Sequence, residues 1–437
     1  MEKVVYWFRR DLRVRDNWGL IRAASRGPVV GVFVWDSAVV GRAGRFGQAF
    51  LVDSLVQLRE EMRRCGSDLV VVRDLEELEG RQVVCSDEVG VFESAEADRV
   101  GAELVRQDFL VDYDWRKLPG IFTKFRKEVE PLGAVQVLGV PELRGWVWDG
   151  EECLLDQLAE EVSIVELMMP PGLRGAAWRG TWFFSGLEPV PVSVYKDTRN
   201  GFDGWNSSSL LSSYLAWGCM SVREAAAEVR RCEDLYAAND STYWFILELL
   251  WRDYFHYLAR QQGVKMFLRE GIQGLELDWS GGDELYDAWC GGWTGYPIVD
   301  ACMRQLAATG WMSNRGRQIT ANFLTKVLNV DWRMGAEWFE RNLIDYDVAS
   351  NWGNWQYHAG VGTDGREFRV FHPVKQAAEH DPASEFIQKW LPELAGVSAK
   401  EARIPGAHCD VVVDFDEAVG VNRSQYLARA RNSKAGS

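Results

Sequence analysis

LIDYDVASNWGNWQY, residues Leu343–Tyr357, is the stretch around which the helical half of this chain is organised. Two carboxylates, Asp345 and Asp347, precede Asn351 and a Trp-Gly-Asn-Trp run. In an apolar core these acids and the amide would need hydrogen-bond partners, because burying them alone is costly. A ligand with hydroxyls, a polar ring edge and an aromatic face would use all of them. The stretch therefore predicts the wall of a cofactor site, and the alternative is a capped helix start beside a Trp-rich core turn.

Length and composition predict a soluble globular protein with two domains or one large one. The chain has 437 residues, of which 47% are hydrophobic and 26% are charged. The net charge is 49 − 64 = −15, so a nucleic-acid partner would need a local basic patch. The eight cysteines form no CxxC pair and the five histidines show no metal spacing. We expect reduced thiols, no metal, no membrane partner and a cytoplasmic monomer.

The first half of the chain alternates strand-like and helical patterns. Four apolar runs are typical of buried strands: Val4–Phe8, Pro28–Trp35, Leu69–Val72 and Val89–Phe92. Between them, Asn17–Ser25 can form a short helix, and Phe46–Cys65 carries apolar residues at helical spacing. Strands that alternate with helices predict a doubly wound parallel α/β sheet, which we assign to residues 1–130.

The second half of the chain has a different pattern. Residues 131–195 are punctuated by proline and glycine, so we expect a connector there, including Met168–Gly180. Helical periodicity predicts an all-α domain over residues 196–437. Near the end, Val411–Val413 looks like a short strand, and Arg429–Ser437 is expected to fray.

Two segments of the helical half carry groups that suit a ligand. Ser207–Ser213 offers hydroxyls and backbone N–H groups at a helix start, which suits a phosphate; the alternative is an ordinary N-cap. Trp244–Tyr257 is strongly helical and places four residues on one face: Glu248, Trp251, Arg252 and Phe255. That face fits a polar pocket in which an aromatic ring stacks on a base. A surface ion pair beside a buried Trp is the alternative.

A third segment, Trp311–Gln318, places an indole and two amides on one predicted helical face: Trp311, Asn314 and Gln318. The amides can read the polar edges of pyrimidines. Residues 301–341 hold six basic side chains against three acidic ones. This local positive charge predicts a surface that follows phosphates, with a solvated basic face as the alternative.

Five segments together resemble the photolyase/cryptochrome family, and most of all its DASH branch. They are YWFRRDLRVRDNWGL, ELLWRDYF, GWTGYPIVDACMRQLAATGWMSNRGRQ, DWRMGAEWFE and DYDVASNWGNWQY. The segments follow the family's order and spacing over most of the chain. The resemblance implies an N-terminal α/β antenna domain and a C-terminal helical domain that holds FAD. It also implies 5,10-methenyltetrahydrofolate, the usual antenna of the branch.

The resemblance implies roles for residues at matching positions. For FAD these are Ser208, Ser209, Leu211, Ser212, Arg317, Asp345, Asp347 and Asn351, the last facing the flavin N5. A relay that carries electrons from the surface to the flavin is implied at Trp355, Trp332 and Trp279. A lesion pocket is implied at Glu248, Trp251, Arg252 and Asn314, with Glu248 giving a proton or hydrogen bond. The position of the antenna's acidic ligand is best matched by Glu88.

Two further positions separate the branches of the family. Gln318 and Tyr357 stand where other dimer photolyases usually carry Met and Trp, a choice typical of DASH proteins. They should weaken stacking on a lesion flipped from duplex DNA, whereas a single strand avoids most of that cost. We expect blue-light repair of cyclobutane pyrimidine dimers, preferentially in single-stranded DNA, by electron transfer from excited reduced FAD. The alternative is a blue-light photoreceptor that binds nucleic acid or a partner and repairs little.

Overall fold

Five parallel strands form one sheet in the N-terminal part of the chain. The structure, a computed structural model, describes residues 2–37, 40–162, 165–186, 188–203, 205–363 and 368–435. The sheet order is β3-β2-β1-β4-β5. The strands are β1 Val4–Trp7, β2 Val29–Val34, β3 Leu69–Val72, β4 Gln82–Ser86 and β5 Glu103–Val105. The first three are buried along their whole length, as expected of valine-rich strands covered on both faces. This confirms the predicted doubly wound sheet.

Helices cover the sheet and lead into the second half of the chain. They are α1 Trp18–Ala24, α2 Arg45–Arg64, α3 Val91–Arg99, α4 Phe122–Val129, α5 Leu155–Val162 and α6 Gly172–Ser185. The predicted helices at Asn17–Ser25 and Phe46–Cys65 correspond to α1 and α2. In α1, the side chain of Asn17 caps the first turn by accepting a hydrogen bond from the Leu20 N–H.

The second half is built from helices. Its first six are α7 Tyr195–Thr198, α8 Ser212–Ala216, α9 Val222–Tyr236, α10 Asp240–Gln262, α11 Asp283–Gly291 and α12 Pro297–Thr309. They are followed by α13 Asn314–Asn322, α14 Trp332–Asn342, α15 Val348–Ala359, α16 Pro373–His380, α17 Glu385–Trp390 and α18 Phe415–Ala435. A π-helical turn, Phe323–Val327, follows α13. Among the described residues, no helix is long and apolar enough to cross a bilayer.

Two local predictions in the N-terminal half are wrong. Val89–Phe92 is not a strand, because β4 precedes it and α3 begins at Val91 after Gly90. Met168–Gly180 is not an open connector, because α6 starts within it. Gly175 serves close packing, because a Cβ there would lie 2.0 Å from the carbonyl oxygen of Pro170. A short apolar run and a glycine-rich segment are both compatible with a helix, so neither pattern alone predicts the element.

Two predictions near the C-terminus are also wrong. Val411–Val413 is irregular, although the Val412 N–H donates to the carbonyl oxygen of Thr294 at 3.1 Å. In the segment predicted to fray, Arg429–Ser437, residues 429–435 continue α18, and residues 436–437 lie outside the described residues. An ion pair between Arg429 and Asp278 at 2.6 Å holds this helix against the rest of the chain.

Buried polar contacts fix the N-terminal half against α9 and α10. The Arg223 Nε atom lies 2.8 Å from an Asp16 oxygen, and both side chains are fully buried. On α10, the carboxylate of Asp253 accepts the backbone N–H groups of Leu110 and Val111 at 2.8–3.0 Å. Each charge would be stranded without its partner, so these contacts set the position of α10. Because α10 carries the predicted pocket residues, they also position the site.

The Arg223–Asp16 pair gives a test of this arrangement. Arg223→Ala leaves the Asp16 carboxylate buried without its ion-pair partner, so we expect a loss of about 3–5 kcal/mol in the free energy of unfolding. Urea denaturation followed by circular dichroism measures the loss. Arg230→Ala, at an exposed site on the same helix, should change the free energy by less than about 0.5 kcal/mol. Equally small effects of both substitutions would contradict the role of the buried pair.

Candidate functional site

A cavity of about 420 Å³ opens beside α8, α10, α13 and α15, and a second of about 120 Å³ shares part of its wall. Most residues predicted to bind a ligand line one or both: Ser208, Ser209, Ser212, Glu248, Trp251, Arg252, Asn314, Arg317, Gln318, Asp345, Asp347, Asn351, Trp355 and Tyr357. The predicted face of α10 is brought to the cavity as a whole, because Phe255 lines it as well. The structure thus gathers residues from segments that are far apart in sequence.

Asp345 and Arg317 form a paired group at the cavity wall. One Arg317 amino group, Nη2, donates to both Asp345 oxygens at 2.9 and 2.8 Å. The Asp345 side chain is only 2% exposed, so this pairing is what makes its burial tolerable. The Arg317 Nε atom also donates to the carbonyl oxygen of Met312 at 2.9 Å, which orients the guanidinium. The remaining donors of Arg317 and lone pairs of Asp345 are available to a ligand.

Asp347 has two structural partners. One of its oxygens caps α15 by accepting the Ser350 N–H at 2.7 Å, and the other lies 3.0 Å from the His256 Nε2 atom. Burial alone would raise the pKa of Asp347, but His256 and Arg252 outweigh it and hold that pKa well below its usual value. Asp347 therefore stays ionised at the cavity wall. The Leu343–Tyr357 stretch therefore contains the capped helix start of the alternative interpretation, and it also lines the cavity; its role as the wall of a cofactor site stays a prediction.

The Asp347 charge can be tested by its effect on acid stability. Asp347→Asn keeps a helix cap but removes the charge beside His256. The folded-state pKa lies below the ordinary value of 3.8, so the ionised form adds stability above about pH 4 that is lost at lower pH. We expect a lower unfolding midpoint for the variant at neutral pH, and a narrowing gap to the unmodified protein below about pH 4. Thermal unfolding at a series of pH values measures this.

Asp156→Asn provides the matched control for that series. The Asp156 side chain is 94% exposed, so this variant should follow the unmodified protein at every pH. A gap for Asp347→Asn that stays constant from neutral pH down to about pH 3 would contradict the assigned pairing.

A buried arginine binds the backbone of the serine segment, Ser207–Ser213, at the start of α8. The Arg179 guanidinium, 2% exposed, donates to the carbonyl oxygens of Ser209 at 2.8 Å and Ser208 at 2.7 Å. Because α8 spans only five residues, a helix dipole adds little, and the serine hydroxyls are the groups offered to a phosphate. The predicted role of Leu211 is not supported by its side chain, which is fully buried and outside both cavities.

Glu248 and Trp251 each have a partner that the sequence did not indicate. Arg199 pairs with Glu248 at 2.5 Å and lines the same cavity. Burial raises the pKa of Glu248 above its ordinary value, against the opposing charge of Arg199. Phe122 stacks on Trp251 with ring centroids 3.6 Å apart and an interplanar angle of 10°. One face of this indole is therefore occupied. Because the Phe255 ring also lies 5.6 Å from it at an angle of 27°, a ligand can use only the part of Trp251 that these two rings leave uncovered.

Arg252 belongs to a chain of contacts that runs between the two halves of the protein. It pairs with Asp108, which follows β5, and lines the cavity. The His256 Nδ1 atom lies 3.7 Å from the same Asp108 carboxylate. His256 was not predicted as a site residue, although it is four residues beyond Arg252 on the same helix and so shares its face.

The prediction of a single basic surface over residues 301–341 is wrong, because most of its charges have other partners. Lys326 is buried and donates to the carbonyl oxygen of Ala359 at 2.6 Å, and Arg304 pairs with Glu393 at 2.7 Å. Burial lowers the pKa of Arg315 most, and the charges of Arg199 and Arg369 lower it further against the opposing effect of Glu379. Trp311 also differs from prediction: it precedes α13 but still lines the cavity.

The three predicted relay tryptophans lie in different environments. Trp355 is 2% exposed and lines the smaller cavity. Trp332 is fully buried, with its ring 5.6 Å from that of Trp352 and its N–H donating to the carbonyl oxygen of Arg269. Trp279 is half-buried, and α18 contributes residues to the small cavity beside it. Their use as a relay stays a prediction.

Glu88, the predicted antenna ligand, lies at a small cavity between the halves. Its carboxylate accepts the Ser86 hydroxyl at 2.6 Å, and burial raises its pKa against the opposing charge of Arg9. The cavity measures only about 20 Å³, and the neighbouring Asp87 is paired with Arg260 at 2.7 Å. An antenna the size of a folate would need these side chains to move, so the role of Glu88 stays a prediction.

One group of side chains has the spacing of metal ligands. Asp300, His408 and Cys409 place possible ligand atoms within 4.8 Å of one another. The Asp300 carboxylate, however, already accepts the N–H groups of Thr294 and Gly295 at 2.9 Å and contacts the His408 ring at 2.8 Å. These bonds explain the group as an anchor for the segment that precedes α18.

Comparisons with known proteins agree with this geometry. Residues 245–428 match a family described as the FAD binding domain of DNA photolyase, and residues 4–118 match a family described as DNA photolyase. Cryptochrome DASH of Gloeobacter violaceus is 40% identical, over 92% of this chain and 88% of the relative. Its counterpart from Arabidopsis thaliana, described as chloroplastic/mitochondrial, is 35% identical, over 95% of this chain and 80% of that protein.

Solved structures show the same architecture. A crystal structure of a cryptochrome from Synechocystis matches with a TM-score of 0.88 and 32% identity, over 97% of this chain and 99% of the other. An archaeal photolyase from Sulfolobus tokodaii, described with two FAD molecules, matches with a TM-score of 0.81 and 29% identity, over 98% and 100% of the two chains.

Proposed function

Because the chain belongs to the photolyase/cryptochrome family, with DASH cryptochromes among its relatives, we propose that it repairs cyclobutane pyrimidine dimers under blue light. We propose single-stranded DNA as the preferred substrate. The observation that carries the proposal is the cavity itself. Its wall combines the Asp345–Arg317 pair and serine hydroxyls, suited to FAD, with Glu248, Trp251 and Asn314, suited to a damaged base.

The residues of the cavity fit FAD. Arg252 Nη1 lies on a residue of the cavity wall, is buried and has no hydrogen-bond partner among the described residues, so a polar group of a ligand can satisfy it. Ser208, Ser209 and Ser212 would hold the pyrophosphate. Asn351 donates from its Nδ2 to the carbonyl oxygen of Ala336 at 3.0 Å, which leaves its Oδ1 free to accept a hydrogen bond from the flavin N5.

The Asp345–Arg317 pair and Asp347 would line the ribose and the flavin ring. Arg317 balances the charge of Asp345, and Asp347 contacts His256, so a ligand hydroxyl can add hydrogen bonds to carboxylates that already have partners. Bound FAD, when reduced and excited by blue light, would supply the electron that splits the dimer. Trp355, Trp332 and Trp279 would pass electrons inward to keep the flavin reduced.

The outer part of the cavity would hold the lesion. Glu248 lines the cavity, where burial raises its pKa above the ordinary value, and its carboxyl group would form a hydrogen bond with the damaged pyrimidine. The amides of Asn314 and Gln318 can pair with pyrimidine edges, and the uncovered side of Trp251 can stack. Arg315, whose pKa is lowered by Arg199 and Arg369 and raised by Glu379, would attract the phosphates beside the lesion together with these two arginines.

Preference for a single strand follows from the polar lining. Gln318 and Tyr357 both line the cavity and give a flipped dimer less apolar contact than Met and Trp would. Extruding a base from duplex DNA costs a few kcal/mol. A cavity that offers less apolar contact to the extruded base offsets a smaller part of that cost. The net charge of −15 also opposes approach to a long polyanion, so only the local arginines favour binding.

Illumination of the reduced protein with dimer-containing DNA tests the function. We expect recovery of thymine absorbance in the ultraviolet, faster for a single strand than for the same sequence in duplex. Light without protein and protein in the dark are the controls. If the flavin is reduced by light but neither DNA form recovers absorbance, the photoreceptor alternative is favoured instead.

Glu248→Ala tests the lesion pocket apart from the flavin site. We expect repair of single-stranded dimer to fall about tenfold, the equivalent of one lost hydrogen bond of about 1.4 kcal/mol. Flavin absorption should be unchanged. Glu248→Gln keeps a hydrogen-bonding group and should retain more activity, and Glu228→Ala, in a surface ion pair on α9, should retain all of it. Full repair by Glu248→Ala would contradict the proposed role of Glu248 in binding the lesion.

A further inference from the structure

A continuous series of aromatic contacts leads from Trp355 to the surface through α11 and α14. The rings of Trp355 and Trp289 lie 6.1 Å apart, and those of Trp289 and Tyr286 lie 6.3 Å apart. Tyr286 in turn lies 6.4 Å from Trp338, which is half-buried on α14. Tyr286 and Trp289 are three residues apart on α11, so their contact is built into one helix. This series is separate from Trp332 and Trp279.

The two inner members of the series have no ready route to lose a proton. Trp289 is fully buried, and its N–H donates to the carbonyl oxygen of Thr320 at 3.1 Å. The Tyr286 hydroxyl donates to the carbonyl oxygen of Met334 at 3.2 Å, and burial raises its pKa further above the ordinary value. A carbonyl oxygen is too weak a base to take either proton. An oxidised Trp289 therefore stays cationic and can be refilled by an electron from Trp338. Tyr286 loses an electron readily only together with its proton, so it stays reduced and serves as the bridge between the two indoles.

Trp338 differs from the inner members because water can reach it. It is half-buried beside Glu337 and Arg341, whose side chains are 55% and 70% exposed. An oxidised indole at this position can release its N–H proton to water. That loss makes the transfer hard to reverse, which is the property needed at the outer end of a relay.

We propose that Trp289, Tyr286 and Trp338 form a second electron route to the flavin, parallel to the one through Trp332 and Trp279. The inference rests on the proposed photoreduction of bound FAD. Trp355 gives one electron to the light-excited flavin and regains one from Trp289. Tyr286 links the two indoles, and Trp338 supplies the electron and releases its N–H proton to water. A dissolved thiol then returns one electron and one proton to Trp338.

Trapping the radical locates the outer end of the route. Illumination without oxygen, in the presence of a nitroso spin trap, should attach the trap to oxidised indole. Trypsin cuts after Arg333 and Arg341, and Trp338 is the only Trp in the resulting peptide 334–341. We expect a light-dependent mass adduct on that peptide in the unmodified protein and in Trp332→Phe. The adduct should be lost in Trp289→Phe and in Trp355→Phe.

The rate of flavin bleaching in the same samples gives a second readout. Trp332→Phe should bleach at a fraction of the unmodified rate. The double variant Trp332→Phe/Trp338→Phe should lose most of that remaining rate. Trp338 is near the surface, so its replacement should not disturb folding. Trp332→Phe/Trp293→Phe is the matched control, because Trp293 is 54% exposed and outside the series, and it should behave like Trp332→Phe alone. Flavin content and circular dichroism show that each variant is folded and loaded.

The route is wrong if Trp332→Phe abolishes bleaching as fully as Trp355→Phe does. It is also wrong if the adduct on peptide 334–341 persists undiminished in Trp289→Phe. A different result would show the failure of the proposed photoreduction itself: an unmodified protein that holds flavin but does not bleach in light, while the repair test on chemically reduced protein remains independent. That result would remove both routes together, whereas loss of the second route alone leaves bleaching that depends on Trp332.

Discussion

The pairing of two buried carboxylates is the constraint on which the helical half depends. Asp345 needs Arg317 from α13, and Asp347 needs His256 from α10, because a buried carboxylate without a partner would cost several kcal/mol. Both acids belong to the segment that starts α15. The three helices are therefore held at fixed separations, and the space left between them is the cavity. The same charges that stabilise the fold line the site, which explains why charged groups lie at the cavity wall.

A series of alternating acidic and basic side chains connects this constraint to the N-terminal half. Asp108 pairs with Arg252 and approaches His256, and His256 contacts Asp347 at the cavity wall. Asp253 adds a contact to backbone N–H groups of the N-terminal half. The sheet domain thus does more than adjoin the helical domain, since it fixes the helix that carries Glu248 and Trp251. A substitution at this interface should therefore shift α10 and alter the cavity, even though the substituted residue does not line it.

Sequence patterns predicted the parts of the molecule that follow regular periodicity. The parallel sheet followed from short valine-rich runs, and the cavity face of α10 followed from helical spacing of Glu248, Trp251 and Arg252. Partners from distant segments could not be predicted, because no local spacing marks them. Arg199 and Phe122 reach α10 from separate elements, and the arginine beneath the serine segment, Arg179, has no pattern of its own. The prediction of a basic surface was wrong because Lys326 and Arg304 have partners within the protein.

The central claim is that paired carboxylates shape a cavity in the helical half that holds FAD. Flavin content after reconstitution tests it most directly, as the molar ratio of flavin released on denaturation to protein. The unmodified chain should hold about one flavin per chain, and Asp345→Ala, which frees Arg317 and opens the wall, should hold much less while remaining folded. Colourless protein that takes up no FAD, or full flavin content in Asp345→Ala, would contradict the claim.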